Sequence, residues 1–124
     1  MARVLVVEDD HAICRLISDI LEDAGLETRC VQSDKAAYAA LPTTPAYCAL
    51  IVDINLGKGT TGFDVARRAR QIAPHIPIIY VSGEASAASV KTFGVPDSDY
   101  LQKPFTPEEM VRTLQARLKP EGAA

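Results

Sequence analysis

The run Arg3-Val4-Leu5-Val6-Val7-Glu8-Asp9-Asp10 decides the reading of this chain. Its four apolar residues are consecutive and mostly β-branched, too few for a helix and too continuous for a strand with one wet face. They read as a strand over Arg3–Glu8 buried on both sides, as in parallel sheets. Three acids end it abruptly. Asp10 is placed to cap a helix whose apolar positions Ile13, Leu16, Ile17, Ile20, Leu21 and Ala24 recur at spacings of three and four. Gly25 supplies the stop.

The same alternation continues outward from this unit. Glu27–Val31 reads as a weaker second strand, and Ser33 caps an Ala-rich helix that ends before Pro42. Pro42 to Tyr47 is a loop, and Ala49-Leu50-Ile51-Val52 is a second fully buried strand running into Asp53. A glycine-rich turn over Gly57 to Gly62 precedes a helix over Phe63 to Ala73, with Val65, Ala66, Ala69, Ile72 and Ala73 facing inward. Pro77–Val81 is the fourth strand, with proline at its start where no ladder donor is missed. Ala85–Thr92 reads as a short helix with few large apolar residues, the least stable element. Asp99–Gln102 is the fifth strand. Thr106-Pro107-Glu108-Glu109 opens the last helix with a capping box, turning Met110, Val111, Leu114 and Leu118 to the core.

Five strand–helix units of this kind imply an α/β fold, a five-stranded parallel sheet doubly wound with helices on both faces. At 124 residues the expectation is one domain over 1–124, with no linker and no run left for an output domain. The longest apolar run, Ala46 to Val52, is far short of the roughly 20 residues that cross a bilayer. Met1-Ala2-Arg3 leads straight into the first strand without a small-residue cleavage site, so the expected compartment is the cytoplasm. A net charge of −3 argues against nucleic acid as a direct partner. Arg67, Arg68 and Arg70 are expected to form the solvated face of a helix. Cys14, Cys30 and Cys48 cannot all pair and form no C-x-x-C motif, so reduced, mostly buried thiols are expected. His11 and His75 have no companion ligands at metal spacing and read as surface residues.

Ligands of such sheets bind beyond the carboxyl ends of the strands. The sequence places Glu8-Asp9-Asp10 at the first of these ends, Asp53 and Asn55 at the third, Ser82-Gly83-Glu84 at the fourth and Lys103-Pro104 at the fifth. Clustered carboxylates repel one another unless a cation or a proton intervenes. Mg2+ takes oxygen ligands and keeps several waters. Asp9, Asp53 and a nearby backbone carbonyl would leave room for a phosphoryl oxygen, a shell suited to phosphoryl transfer. Asp53 is then the carboxylate nucleophile, Lys103 neutralises a second phosphoryl oxygen, and the Ser82 hydroxyl donates to a third. The Gly57–Gly62 turn lacks the Gly-Lys-Ser/Thr order of a phosphate-binding loop.

The set Glu8-Asp9, Asp53, Ser82 and Lys103-Pro104 resembles the receiver domain of bacterial two-component response regulators, in particular single-domain receivers of the chemotaxis-regulator kind. The resemblance covers the chain from Val4 to the last helix and implies strand order 2-1-3-4-5, the flavodoxin-like arrangement. It implies Asp53 as phosphoacceptor, Asp9 as direct Mg2+ ligand, Glu8 holding the ion through water, and Asn55 lending its backbone carbonyl. It further implies Ser82 and Tyr100 as the switch pair, Lys103 as the phosphate-contacting lysine, and a cis bond before Pro104. Asn55 and Glu84 would tune autodephosphorylation. The implied partners are a sensor histidine kinase or phosphotransfer protein and an unknown downstream protein, with no nucleic acid or membrane contact. Three features depart from the family pattern. Glu8 replaces the more usual Asp, Leu56-Gly57-Lys58-Gly59 stands where many receivers carry Met-Pro, and the span from Ser82 to Lys103 is about one residue short.

Two other classes are weighed against this one. A docking module that is never phosphorylated would not need the acid pocket. An enzyme is the other: an aspartyl-phosphate phosphatase wants a general acid after Asp53, where Asn55 stands. A flavin binder wants a hydroxyl- and glycine-rich loop where Glu8-Asp9-Asp10 would repel phosphate.

Overall fold

A computed structural model of the chain describes residues 3–43, 46–56, 61–83 and 87–118, with Thr61 described by its backbone alone. Strands and helices alternate along it. The strands are β1 (Arg3–Val7), β2 (Glu27–Val31), β3 (Ala49–Asp53), β4 (Ile78–Ser82) and β5 (Asp99–Gln102). The helices are α1 (His11–Asp23), α2 (Asp34–Ala40), α3 (Thr61–Ile72), α4 (Ala87–Phe93) and α5 (Pro107–Arg117). All strands run parallel in the order β2-β1-β3-β4-β5. That is the expected architecture.

Alternate residues of the central strands supply two separate cores. Leu5, Val7, Leu50, Val52, Ile78 and Tyr80 face one way, against α2, α3 and Val90 of α4. Val4, Val6, Ala49, Ile51, Ile79 and Val81 face the other, against α1 and α5. This is why β3 and β4 carry no charged residue before their last positions, and β1 none after Arg3. Each fully buried Val, Leu or Ile contributes roughly 1.5–3 kcal/mol relative to exposure.

The helix ends follow the sequence signals closely. The Asp10 carboxylate accepts from the N–H groups of Ala12 and Ile13, and Gly25 adopts a left-handed φ of 84° just beyond the C-terminus of α1. The Ser33 hydroxyl accepts from Ala36 N–H. Thr106 and Glu109 form a reciprocal capping box at α5.

Five expectations are corrected. Helix α3 starts at Thr61, two residues before Phe63, so the end of the expected turn already belongs to the helix. Leu16 and Ile72, placed on apolar faces by their spacing, are exposed. Helix α4 spans Ala87–Phe93 and not Ala85–Thr92, residues 84–86 lying outside the described residues. Arg70 is not a solvated residue: its guanidinium donates to the carbonyls of Ile76, Pro96 and Asp97, clamping the ends of two loops to α3. The cysteines are not all thiols. Cys14 and Cys30 form a disulfide with Cα atoms 6.2 Å apart, and Cys48 is the free one.

Candidate functional site

Parallel register decides which side chains meet at the rim. Val7 pairs with Val52, so Glu8 and Asp53 follow side by side on neighbouring strands. Asp53 pairs with Val81 and Ser82 with Gln102, which brings Ser82 and Lys103 to the same edge. Backbone bonds fix the alignment: Glu8 N–H donates to Val31 O, Ile54 N–H to Val81 O and Lys103 N–H to Ser82 O, each at 3.0 Å.

Glu8, Asp53 and Ser82 are buried polar residues at the ends of otherwise apolar strands. The Lys103 ammonium reaches back over them. Its Nζ lies 3.0 and 3.2 Å from the two Glu8 oxygens and 3.1 Å from Asp53 Oδ2. The second Asp53 oxygen, Oδ1, accepts from Asn55 N–H at 3.0 Å. Asp9 is exposed, yet a carboxylate oxygen from each of Glu8, Asp9 and Asp53 lies within 4.8 Å of the others. Three carboxylates therefore face one ammonium, and when all are ionised the rim keeps an excess of negative charge.

The electrostatics reflect this imbalance. Burial raises the Glu8 carboxyl to about 7, with the Asp53 charge adding to the rise and the hydrogen bond from Lys103 opposing it. Burial alone would lower the Lys103 ammonium. Its hydrogen bonds and attraction to Glu8 and Asp53 outweigh that and raise it. Such a rim suits a hard divalent cation, because oxygen donors converge and their charge exceeds what Lys103 neutralises. The donor set thus fits Mg2+.

The remaining expected residues fall into place unequally. Ser82 Oγ donates to Asn55 Oδ1 at 3.1 Å, so the two residues expected to serve different roles touch. The Tyr100 hydroxyl lies 3.4 Å from Ser82 O, and its ring packs on the core below the rim. The Lys103–Pro104 bond is cis. Glu84 and the Gly57–Gly59 segment lie outside the described residues. His11 Nδ1 contacts Gln32 Nε2 at 2.7 Å.

Gly62 is a site residue that the sequence reading missed. A Cβ there would stand 2.1 Å from Asp53 O and 2.7 Å from Ile54 Cα, both backbone atoms. The missing side chain lets the first turn of α3 lie against the strand end that carries Asp53, with Gly62 N–H donating to Ile54 O at 3.0 Å. The only signal in the sequence is a glycine near the start of a helix, which the neighbouring Gly57 and Gly59 assign to a turn.

Comparison with known proteins points one way. The family model of the response regulator receiver domain matches residues 4–115. The response regulator receiver protein CpdR of Brucella abortus is 31% identical over 119 residues, covering 95% of this chain and 98% of its own length. The response regulator protein TodT of Pseudomonas putida is 28% identical over 117 residues, and the chain spans 51% of that protein. Among solved structures, a response regulator receiver protein from Sinorhizobium medicae superposes with a TM-score of 0.87 at 32% identity, covering 94% of this chain and 93% of its own. The chemotaxis response regulator CheY4 of Vibrio cholerae gives 0.81 at 31%, covering 95% and 99%.

Proposed function

Because the chain belongs to the response regulator receiver family, we propose that Asp53 is its phosphoacceptor and that the domain acts as a phosphorylation switch. The observation that carries the reading is the rim itself: three carboxylates within 4.8 Å of one another, with Lys103 Nζ 3.1 Å from the Asp53 carboxylate. A sensor histidine kinase or phosphotransfer protein is the proposed donor. A carboxylate oxygen of Asp53 attacks the phosphorus of a phosphohistidine, the P–N bond breaks, and its electron pair stays on the imidazole nitrogen.

Asp9, Asp53 and the Asn55 carbonyl would hold Mg2+, with Glu8 acting through water. When bound, the ion offsets negative charge gathering on the phosphoryl oxygens. The chain's own residues do the rest. Lys103 leaves Glu8 and turns to a phosphoryl oxygen, and Ser82 gives up Asn55 Oδ1 to donate to another. Movement of Ser82 vacates the space that Tyr100 fills, which changes the surface shown to a protein partner in trans. Asn55, with Glu84, then orients the water that returns Asp53 to the free acid.

On this reading the chain is a signalling domain and not an enzyme acting on a separate substrate, and it works in the cytoplasm. Some relatives are named transcriptional regulatory proteins, and the chain spans about half the length of those. Its acidic charge of −3 favours a protein partner over nucleic acid for these residues.

Labelling tests the assignment. A small-molecule phosphodonor with Mg2+ should label the wild-type chain and leave Asp53→Asn unlabelled. Equal labelling of both would remove Asp53 from the role.

A further inference from the structure

Cys14 and Cys30 lie outside the rim chemistry, yet their placement bears on it. Cys14 is in the first turn of α1, where its N–H donates to Asp10 O at 2.9 Å. Cys14 therefore stands one helical turn along the chain from the N-cap Asp10, which follows Asp9. Cys30 pairs with Val6 across β1 and β2, and the next residue, Val31, accepts the Glu8 N–H at 3.0 Å. The crosslink ties the helix that follows Asp9 to the strand that supports Glu8. The loop carrying both acids is thereby held from two sides.

The pair is also reachable. It lines an open, polar depression of about 320 Å³ whose rim carries His11, Arg15, Glu22 and Gln32. Cys14 is buried and Cys30 half-buried, so reagents meet the Cys30 sulfur first. The Cα separation of 6.2 Å falls within the span that a disulfide bridges without backbone movement. Cys48 differs: burial raises its thiol, which disfavours the reactive thiolate, and it sits just before β3, its N–H bonded to Arg3 O at the start of β1, whereas Cys30 pairs with Val6.

We propose that Cys14 and Cys30 form a reversible redox crosslink that sets how firmly the Glu8–Asp9 loop is held, and so how well the rim binds its divalent ion. Where thiol buffers keep proteins reduced, a bond of this kind is conditional and reports oxidising conditions. The reaction partner is a low-molecular-weight disulfide such as glutathione disulfide. The Cys30 thiolate attacks one of its sulfurs and expels one glutathione thiolate. The Cys14 thiolate then attacks the Cys30 sulfur of the mixed disulfide and expels the second. Two electrons pass to glutathione, and the two cysteine protons end on the released thiols. The link from crosslink to function rests on the phosphoacceptor reading above. The crosslink itself does not.

The test separates the two. The full chain is equilibrated in glutathione buffers of graded potential, alkylated, and its modified cysteines are located by mass spectrometry. With the alkylation carried out in denaturant, Cys14 and Cys30 should be protected together in one two-electron step while Cys48 is alkylated throughout. Independent alkylation of the two at every potential overturns the crosslink. Mg2+ titration of the oxidised and reduced chain should then show roughly ten-fold weaker binding on reduction, the lower end of what losing support around a metal site costs. Cys14→Ser should match the reduced form under both conditions, and Cys48→Ser should behave as wild type. Cys30→Ser serves equally if Cys14→Ser fails to fold by circular dichroism. Equal affinity of the two redox forms overturns the coupling. Absence of Mg2+ binding in either form overturns it together with the phosphoacceptor reading, while the alkylation result still decides the crosslink.

Discussion

Lys103→Met tests the electrostatics of the rim most sharply. In the wild type the ammonium contacts Glu8 at 3.0 Å and Asp53 at 3.1 Å, and the Glu8 side chain is 1% exposed. Methionine keeps an unbranched side chain one heavy atom shorter and removes the charge. Two buried carboxylates then face each other with no cation between them, and breaking a buried ion pair on one side costs about 3–5 kcal/mol. Proton uptake limits that cost. Glu8 already stands at about 7 in the native fold against an ordinary 4.5, so the folded state takes up a proton that the unfolded chain releases. Native stability from this group is present below about pH 4.5 and falls as pH rises towards 7. Removing Lys103 raises Glu8 further and moves the loss upward. In chelator the variant should be about 3 kcal/mol less stable than wild type near pH 8 and only about 1 kcal/mol less stable near pH 5.5. Urea denaturation followed by circular dichroism at the two pH values measures both differences. A loss independent of pH, or none near pH 8, would refute the reasoning.

Two further predictions come from the same rim. Glu8→Gln in chelator should flatten the fall in stability that the wild type shows from about pH 4.5 to 7, and raise stability at the upper end; urea midpoints across that range check it. Gly62→Ala should cost about 1–3 kcal/mol or more by driving a Cβ against the Asp53 and Ile54 backbone, and should weaken Mg2+ binding as well; thermal unfolding and metal titration measure the two effects.

The strands and the rim were legible because their signals are local or positional. Val4–Val7 and Ala49–Val52 are apolar at every position, as burial on both faces demands, and the acids that end them mark the edge where the fold stops excluding water. Asp10, Ser33 and Thr106 were legible as caps because capping needs one side chain and the next few amides. Leu16 and Ile72 were misread for a different reason. Helical spacing locates the centre of an apolar stripe, whereas its edges depend on the neighbouring element. Leu16 sits at the margin of α1, in a groove shared with Val111 and Arg112 of α5.

Arg70 was misread because its partners are backbone carbonyls from residues 6, 26 and 27 positions away, and carbonyls leave no mark in a sequence. The disulfide was missed because it depends on a distance between a helix and a strand. Sixteen residues separate Cys14 from Cys30, and no spacing rule gives their 6.2 Å approach. Lys103 was assigned to the phosphoryl group, while its bridge between Glu8 and Asp53 emerged only once β1, β3 and β5 were in register.

The most direct measurement is chemical trapping of the phosphorylated residue. The wild-type chain is incubated with Mg2+ and a small phosphodonor, then reduced with borohydride, which turns an aspartyl phosphate into homoserine. Peptide mass spectrometry should find homoserine at position 53, and chelator should abolish it. Homoserine at another acid, or unaltered Asp53 in a chain that carries label, would contradict the account.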